Sequence, residues 1–193
     1  MKAVPFSTRL RSWRKGRRIK QASLATDLGV SQAAISRWEN GLDLPSAATL
    51  ARLQSIMQPE SGAWQVEQRH VERLASCRAL FAAEGMRLLA ASQGMQRLWP
   101  GLARMAGQRF ADLLVGDAAA IFGPGDSAAH VRQGGVLHAS GVAIRHTMLD
   151  REPPRRHRWH ACLRRIDGAA VVDVSFEPCA GDAPLGIEDL FTG

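Results

Sequence analysis

Residues 21–41, QASLATDLGVSQAAISRWENG, constrain this chain more than any other stretch. Leu24, Ala25 and Leu28 recur at helical spacing and mark one buried stripe. Gly29 and Val30 interrupt that pattern, and Ser31 is a good N-cap for a second helix. The second helix buries Ile35 and Trp38 and turns Gln32, Ala33, Ser36 and Arg37 outward. Asn40-Gly41 closes it, because glycine adopts the left-handed conformation at little cost. Pro45 and Ser46 then open a further helix carrying Leu50 and Leu53 to the core.

Two short helices joined by a tight glycine-containing turn make a helix-turn-helix unit, whose second helix enters the DNA major groove. Arg14, Gln21, Leu24-Ala25, Leu28-Gly29-Val30-Ser31, Ile35-Ser36, Glu39-Asn40-Gly41, Pro45 and Leu50 together resemble the Cro/CI-type (XRE-family) helix-turn-helix domain. The resemblance covers about residues 6–57. It implies an all-α, five-helix, lambda-repressor-like domain that binds operator DNA. It also implies an ion pair between Arg14 and Glu39 bracing the first helix against the third, and a phosphate contact from Gln21.

The DNA-facing set predicted on this basis is Lys20, Gln21, Ser31, Gln32, Ala33, Ser36, Arg37 and Asn40. Gln32 and Arg37 carry donors for base edges or phosphates, and Ala33 is placed to touch a thymine methyl. Lys20 is a departure from the family pattern, which has Ser or Thr there as a helix cap. A lysine cannot cap, and it puts a cation at the positive end of the helix dipole. The residue near Arg18 is usually small, a second departure. Phe6, Leu10 and Trp13 form the core face of the first helix.

Charge supports a nucleic-acid partner. Residues 1–58 hold ten Lys or Arg against three acids (Asp27, Glu39, Asp43), and residues 59–193 hold fifteen of each. The whole excess of +7 therefore lies on the helix-turn-helix part, as phosphate attraction requires. No apolar run approaches the ~20 residues of a membrane span, and residues 1–20 are punctuated by Lys and Arg. These features predict a cytoplasmic protein with no membrane partner. Cys77, Cys162 and Cys179 are odd in number and widely spaced, unlike a disulfide framework.

The expected organisation is a DNA-binding domain over 1–58, a connecting or dimerising helix over 59–84, and an α+β domain over 85–193. Trp64, Val71, Leu74 and Phe81 recur near heptad spacing, which suggests one long dimerising helix ending near Glu84-Gly85. Beyond it, residues 87–92 are strand-like, 95–99 helical, and Asp126 opens another helix. Residues 142–149 look like a strand. Asp167-Gly168 is a hairpin turn between 158–166 and 169–178. A two-residue turn pairs Trp159 with Phe176, Ala161 with Val174 and Leu163 with Val172. His160, Cys162 and Arg164 then share the opposite face.

The order of strand, helices and three antiparallel strands, with the segment at 107–114, resembles a PAS domain over about 85–179. No second strand is visible in the pattern. The resemblance implies an antiparallel sheet and a sensor or dimerisation role, with a small-molecule effector or haem as conceivable ligands. His130, His138 and His146 are the conceivable haem ligands.

Enzymatic readings find little support. The only lysines are Lys2, Lys15 and Lys20, so a Ser–Lys peptidase in the second half fails, and the HxH spacing of a cupin metal site is absent. His157, His160, Cys162 and Cys179 invite a zinc reading, but His157 and His160 differ by an odd number on a strand and point to opposite faces. No metal and no catalytic residue is expected. The sequence therefore predicts a homodimeric transcriptional regulator on a near-palindromic operator. The alternative is an antitoxin-like or adaptor protein whose second domain binds a protein partner and whose DNA binding is autoregulatory.

Overall fold

The computed structural model describes residues 4–57, 62–105, 108–123, 137–148, 156–166 and 168–192. The chain divides into two compact units, Met1–Pro59 and Glu60–Gly193.

The first unit contains helices α1 (Phe6–Gly16), α2 (Gln21–Leu28), α3 (Gln32–Glu39) and α4 (Ala47–Ile56). Leu10, Leu24, Ile35 and Leu53 are almost fully buried at its centre, with Ile19, Leu28, Trp38 and Met57 around them. Burying each large aliphatic side chain contributes ~1.5–3 kcal/mol. Phe6 and Trp13 pack against the same core, while Leu50 is only half-buried. Gly29 ends α2 at φ 69° and Ser46 caps α4 by accepting from the Thr49 amide at 3.3 Å.

A fifth helix, α5 (Gly62–Arg73), opens the second unit. The long helix expected through Gly85 is not formed. It stops at Arg73, and residues 77–82 are strand β1 (Cys77–Ala82). Ala79 and Phe81 enter one core while Leu80 enters another. A strand buried on both faces shows no alternation, so its apolar run is easily taken for helix. Trp64 and Val71 pack on Leu80, Ala90 and Val171 of the unit's own sheet rather than facing a second chain.

The sheet continues with β2 (Arg87–Ala91), β3 (His138–Ala143), β4 (His157–Ile166), β5 (Ala169–Pro178) and β6 (Gly186–Phe191). All its pairings are antiparallel, in the order β2-β1-β5-β4-β3-β6. The β4–β5 hairpin has the register expected from its two-residue turn, with Trp159 opposite Phe176 and Leu163 opposite Val172. Helices α6 (Gln93–Leu98) and α7 (Gly116–Phe122), with 3-10 turns at 102–105 and 111–113, lie between β2 and β3. They bring Met95, Leu102, Phe110, Ile121 and Phe122 onto Phe81, Ala139, Trp159 and Ala161.

The strand expected at 142–149 is shifted towards the N-terminus. After Ala143 the chain leaves the ladder, and residues 146–148 pair with residues 113–115. The Val115 amide donates to the His146 carbonyl at 2.9 Å, and Met148 donates to Leu113 at 2.9 Å. Gly141 belongs to β3 because β6 passes close by; a Cβ there would lie 2.3 Å from the Gly186 carbonyl oxygen. The helix expected at Asp126 lies outside the described residues, as does His130. Among the described residues no helix is long and apolar enough to cross a membrane.

Candidate nucleic-acid interface and interior cavity

Helix α3 owes its position to three local devices. Ser31 is extended (φ −75°, ψ 151°), and its Oγ accepts from the Ala34 amide at 3.2 Å. Ile35 and Trp38 anchor the inner face in the core. Arg52 of α4 donates to the carbonyl oxygens of Asp27 (2.9 Å) and Leu28 (3.2 Å) at the end of α2. That last brace was not foreseen; its only trace in the sequence is one charge inside an apolar helix.

Glu39 ties three elements together. Its carboxylate, fully shielded from solvent, accepts from Arg14 Nε at 2.6 Å and Nη2 at 3.0 Å. The Gln21 amide donates to the same group at 2.9 Å, and Arg14 also donates to the Ile19 carbonyl at 2.7 Å. Burial pushes the Glu39 carboxyl up, but the hydrogen bonds from Arg14 and Gln21 outweigh it and hold it below the ordinary range. The hydrogen bond to Glu39 in turn raises the Arg14 guanidinium.

These contacts fix the polar groups left over. Gln21 turns its nitrogen to Glu39, so its second amide hydrogen remains as a donor. Asn40 accepts from Arg11 at 2.7 Å through Oδ1, which leaves its NH2 to donate. Arg11 is therefore a second supporting residue that sequence reasoning missed. Gln32, Ala33 and Arg37 are exposed together on the outer face of α3, with Ser36 half-buried beside them. Arg37 meets Asp43 at 3.5 Å, but both are more than half exposed, so the pair is weak and exchangeable. Lys20 occupies the N-cap position of α2 without capping it, and Arg18 is held at φ 55°.

An exposed donor-bearing helix on a capped turn, inside the part that carries all the excess charge, has the geometry of major-groove recognition. Residues 10–61 match the family model described as helix-turn-helix. The first unit is an XRE-family helix-turn-helix domain. The chain thus carries the DNA-binding domain of a transcription regulator. No curated protein matches the chain.

The second unit holds a cavity of about 60 Å³ between the sheet and the segments joining β2 to β3. Its wall includes Phe81, Met86, Trp99, Phe110, Trp159 and Phe176. His146 also lines it; its ring lies 4.6 Å from that of His157 and 4.8 Å from Phe176 between centroids. The two histidines meet through their Nε2 atoms. Trp159 is 4% exposed, and its Nε1 is buried without a hydrogen-bond partner among the described residues.

The other residues considered for metal or haem lie apart. His138 is on β3 next to His160, with ring centroids 6.2 Å apart. His160 faces Ser175 and Cys162 faces Asp173 on the side of the sheet opposite Trp159. Cys179 lies just beyond β5. Among the described residues no three His, Cys, Asp or Glu side chains converge as metal ligands would.

Proposed function

We propose that the chain regulates transcription as a dimer on a near-palindromic operator, reading it through α3 while the second unit senses a small molecule. The observation that carries the DNA-reading part is the set of outward donors Gln32, Arg37 and Asn40 on α3 and at its C-terminal end, with Ser31 at its N-cap, Ala33 and Ser36 between, and Lys20 and Gln21 at the head of α2. With two alanines on an eight-residue helix, one domain reads few base pairs, which favours use in pairs about one DNA turn, ~34 Å, apart. The sensor reading is PAS-like. The sheet supplies the strand that the sequence pattern lacked, the helices intervene before the last strands, and the core holds a cavity.

Arg37→Ala tests the docking face. Affinity for an operator selected from random duplexes, measured at fixed salt, should fall by ~1–3 kcal/mol. A folded variant that binds like the parent would remove α3 from the interface.

A second reading, the antitoxin-like or adaptor protein, is favoured by β6. Ile187, Leu190 and Phe191 are 44–61% exposed along this edge strand, and Leu185 just before it is 52% exposed, an arrangement that invites another chain. Sedimentation of Phe191→Asp separates the readings. A monomeric variant of a dimeric parent assigns the edge to a second copy, and an unchanged dimer leaves it for another protein.

A further inference from the structure

One acid stands on the outside of the basic unit. Of the three in residues 1–58, Asp27 and Glu39 are buried, whereas the Asp43 side chain is 53% exposed. The end of α3 puts it there. Gly41 takes φ 71°, its amide donates to the Trp38 carbonyl at 3.1 Å, and the Leu42 amide reaches back to the Arg37 carbonyl at 2.9 Å. This Schellman closure folds the chain back along the helix, and Asp43 arrives beside the Arg37 side chain. Its Oδ1 accepts from the Leu44 amide at 2.9 Å, which holds the carboxylate in place. Its Oδ2 lies 3.5 Å from Arg37 Nε.

An ion pair this exposed adds little to stability, and an exposed acid lowers the attraction of a basic surface for phosphate. Neither the fold nor general DNA affinity gains from Asp43. The geometry offers a different gain. With Nε turned to Asp43, the Nη1 and Nη2 groups of Arg37 remain as two parallel donors, the fork that matches guanine O6 and N7. A partner that limits the arginine torsions before contact leaves less freedom to lose on binding. When DNA closes over the pair and removes water, its attraction strengthens. We propose that Asp43 is a positioning residue that aims the Arg37 fork at a guanine in the major groove. The inference rests on the DNA-reading role given above to α3, and it names the base read and the residue that orients its reader.

The full chain is titrated at fixed salt with an operator selected from random duplexes. It is titrated again with versions in which each guanine in turn is replaced by 7-deazaguanine, which lacks the N7 acceptor. At one guanine the replacement should cost the parent about tenfold in affinity and should cost Arg37→Ala nothing. Asp43→Asn keeps an oxygen for the Leu44 amide and removes the charge facing Arg37. It should reduce the loss at that guanine to about twofold, and Asp43→Ala should do the same. In the Arg37→Ala background neither change should alter any ratio. Loss of the acid also raises affinity for every duplex, which cancels in the ratio. The assignment is overturned if the tenfold loss persists in both Asp43 variants, or if it shrinks equally at guanines that Arg37 does not read. Arg37→Ala that weakens all duplexes alike keeps α3 on the DNA and overturns the guanine assignment alone. Arg37→Ala that binds like the parent removes the docking face and this assignment together.

Discussion

The two units mount their polar groups in contrasting ways. The first holds Gln32, Arg37 and Asn40 outward on one short helix and braces that helix from beneath through a shielded carboxylate, Glu39. The second gathers Trp159, His146 and Phe176 inward and places its main ion cluster on the opposite side of the sheet. There Asp173 accepts from Arg78 at 2.6 and 2.8 Å and from Arg164 at 2.8 Å, while Glu67 of α5 joins the same guanidinium groups at 2.9 and 3.3 Å. The Glu39 side chain has no exposed surface; those of Asp173, Arg78 and Arg164 are 12, 23 and 39% exposed. The difference teaches where each unit depends on a single group. Docking a surface helix needs a rigid support, which burial of one charge provides. A cavity is supported by its whole wall, while the ion cluster on the other face ties β1, β4 and β5 together and fastens α5 to them.

The largest expected effect follows from that contrast. Glu39→Ala leaves Arg14 without its carboxylate in a mostly buried setting and frees Gln21, which should cost the first unit ~3 kcal/mol. Asp173→Ala should cost the second unit less, ~2 kcal/mol, because Glu67 remains and water reaches the guanidinium groups. Hydrogen exchange at the Ile35 and Val172 amides reports the two units separately. Equal losses would refute the contrast.

Acid should act through the same groups. At Asp173, as at Glu39, burial raises the carboxyl but hydrogen bonds from arginine (Arg78 and Arg164) outweigh it and leave the value lowered. A lowered folded-state value stabilises the fold above the ordinary carboxylate range, and that contribution is lost as pH falls through the folded value. Both units should therefore weaken on acidification. Glu39→Gln should flatten the acid limb of the first unit and leave that of the second, as read from urea midpoints across pH. A variant with the parent's acid limb would shift the dependence to another group.

Next in size is Val71→Ala. Val71 is fully buried against Leu80 and Val171, so truncation should cost ~2 kcal/mol. The loss should appear in exchange at Val172 and not at Ile35. It should also leave the sedimentation coefficient unchanged, since Val71 faces its own sheet. A variant that dissociates while remaining folded would restore α5 to a dimer interface.

Legibility in the sequence also divided along this line. The helix-turn-helix could be read because its signals lie within some twenty consecutive residues: a left-handed glycine, a serine cap, an apolar stripe. The β4–β5 register was equally local, fixed by a two-residue turn. What could not be read was built from distant pieces. β1 is covered on both faces, so its pattern carried no period of two. β3 includes Ser140 and Gly141, poor strand formers that serve the close approach of β6. The cavity draws on residues from Phe81 to Phe176, and no spacing rule joins those. In the first unit, the Arg11 and Arg52 braces are contacts between elements, which a one-dimensional pattern does not encode.

Lys20 gives the smallest and most discriminating test, because in it folding and binding oppose each other. It sits at the N-cap of α2 in extended conformation (φ −73°, ψ 149°) and makes no side-chain cap. A cation there is unfavourable by ~0.3–1 kcal/mol when exposed, whereas serine in the same conformation would satisfy an orphan amide. Ser31 already does so at α3. Lys20→Ser should therefore raise the melting temperature of the first unit. On DNA the same change removes one phosphate-neutralising charge, so the slope of log affinity against log salt should flatten by about one. A higher melting temperature with an unchanged slope would move Lys20 off the DNA. A lower melting temperature would mean that the side chain stabilises the free domain, and the opposition between surface recognition and local stability would fail at the residue where it is most exposed.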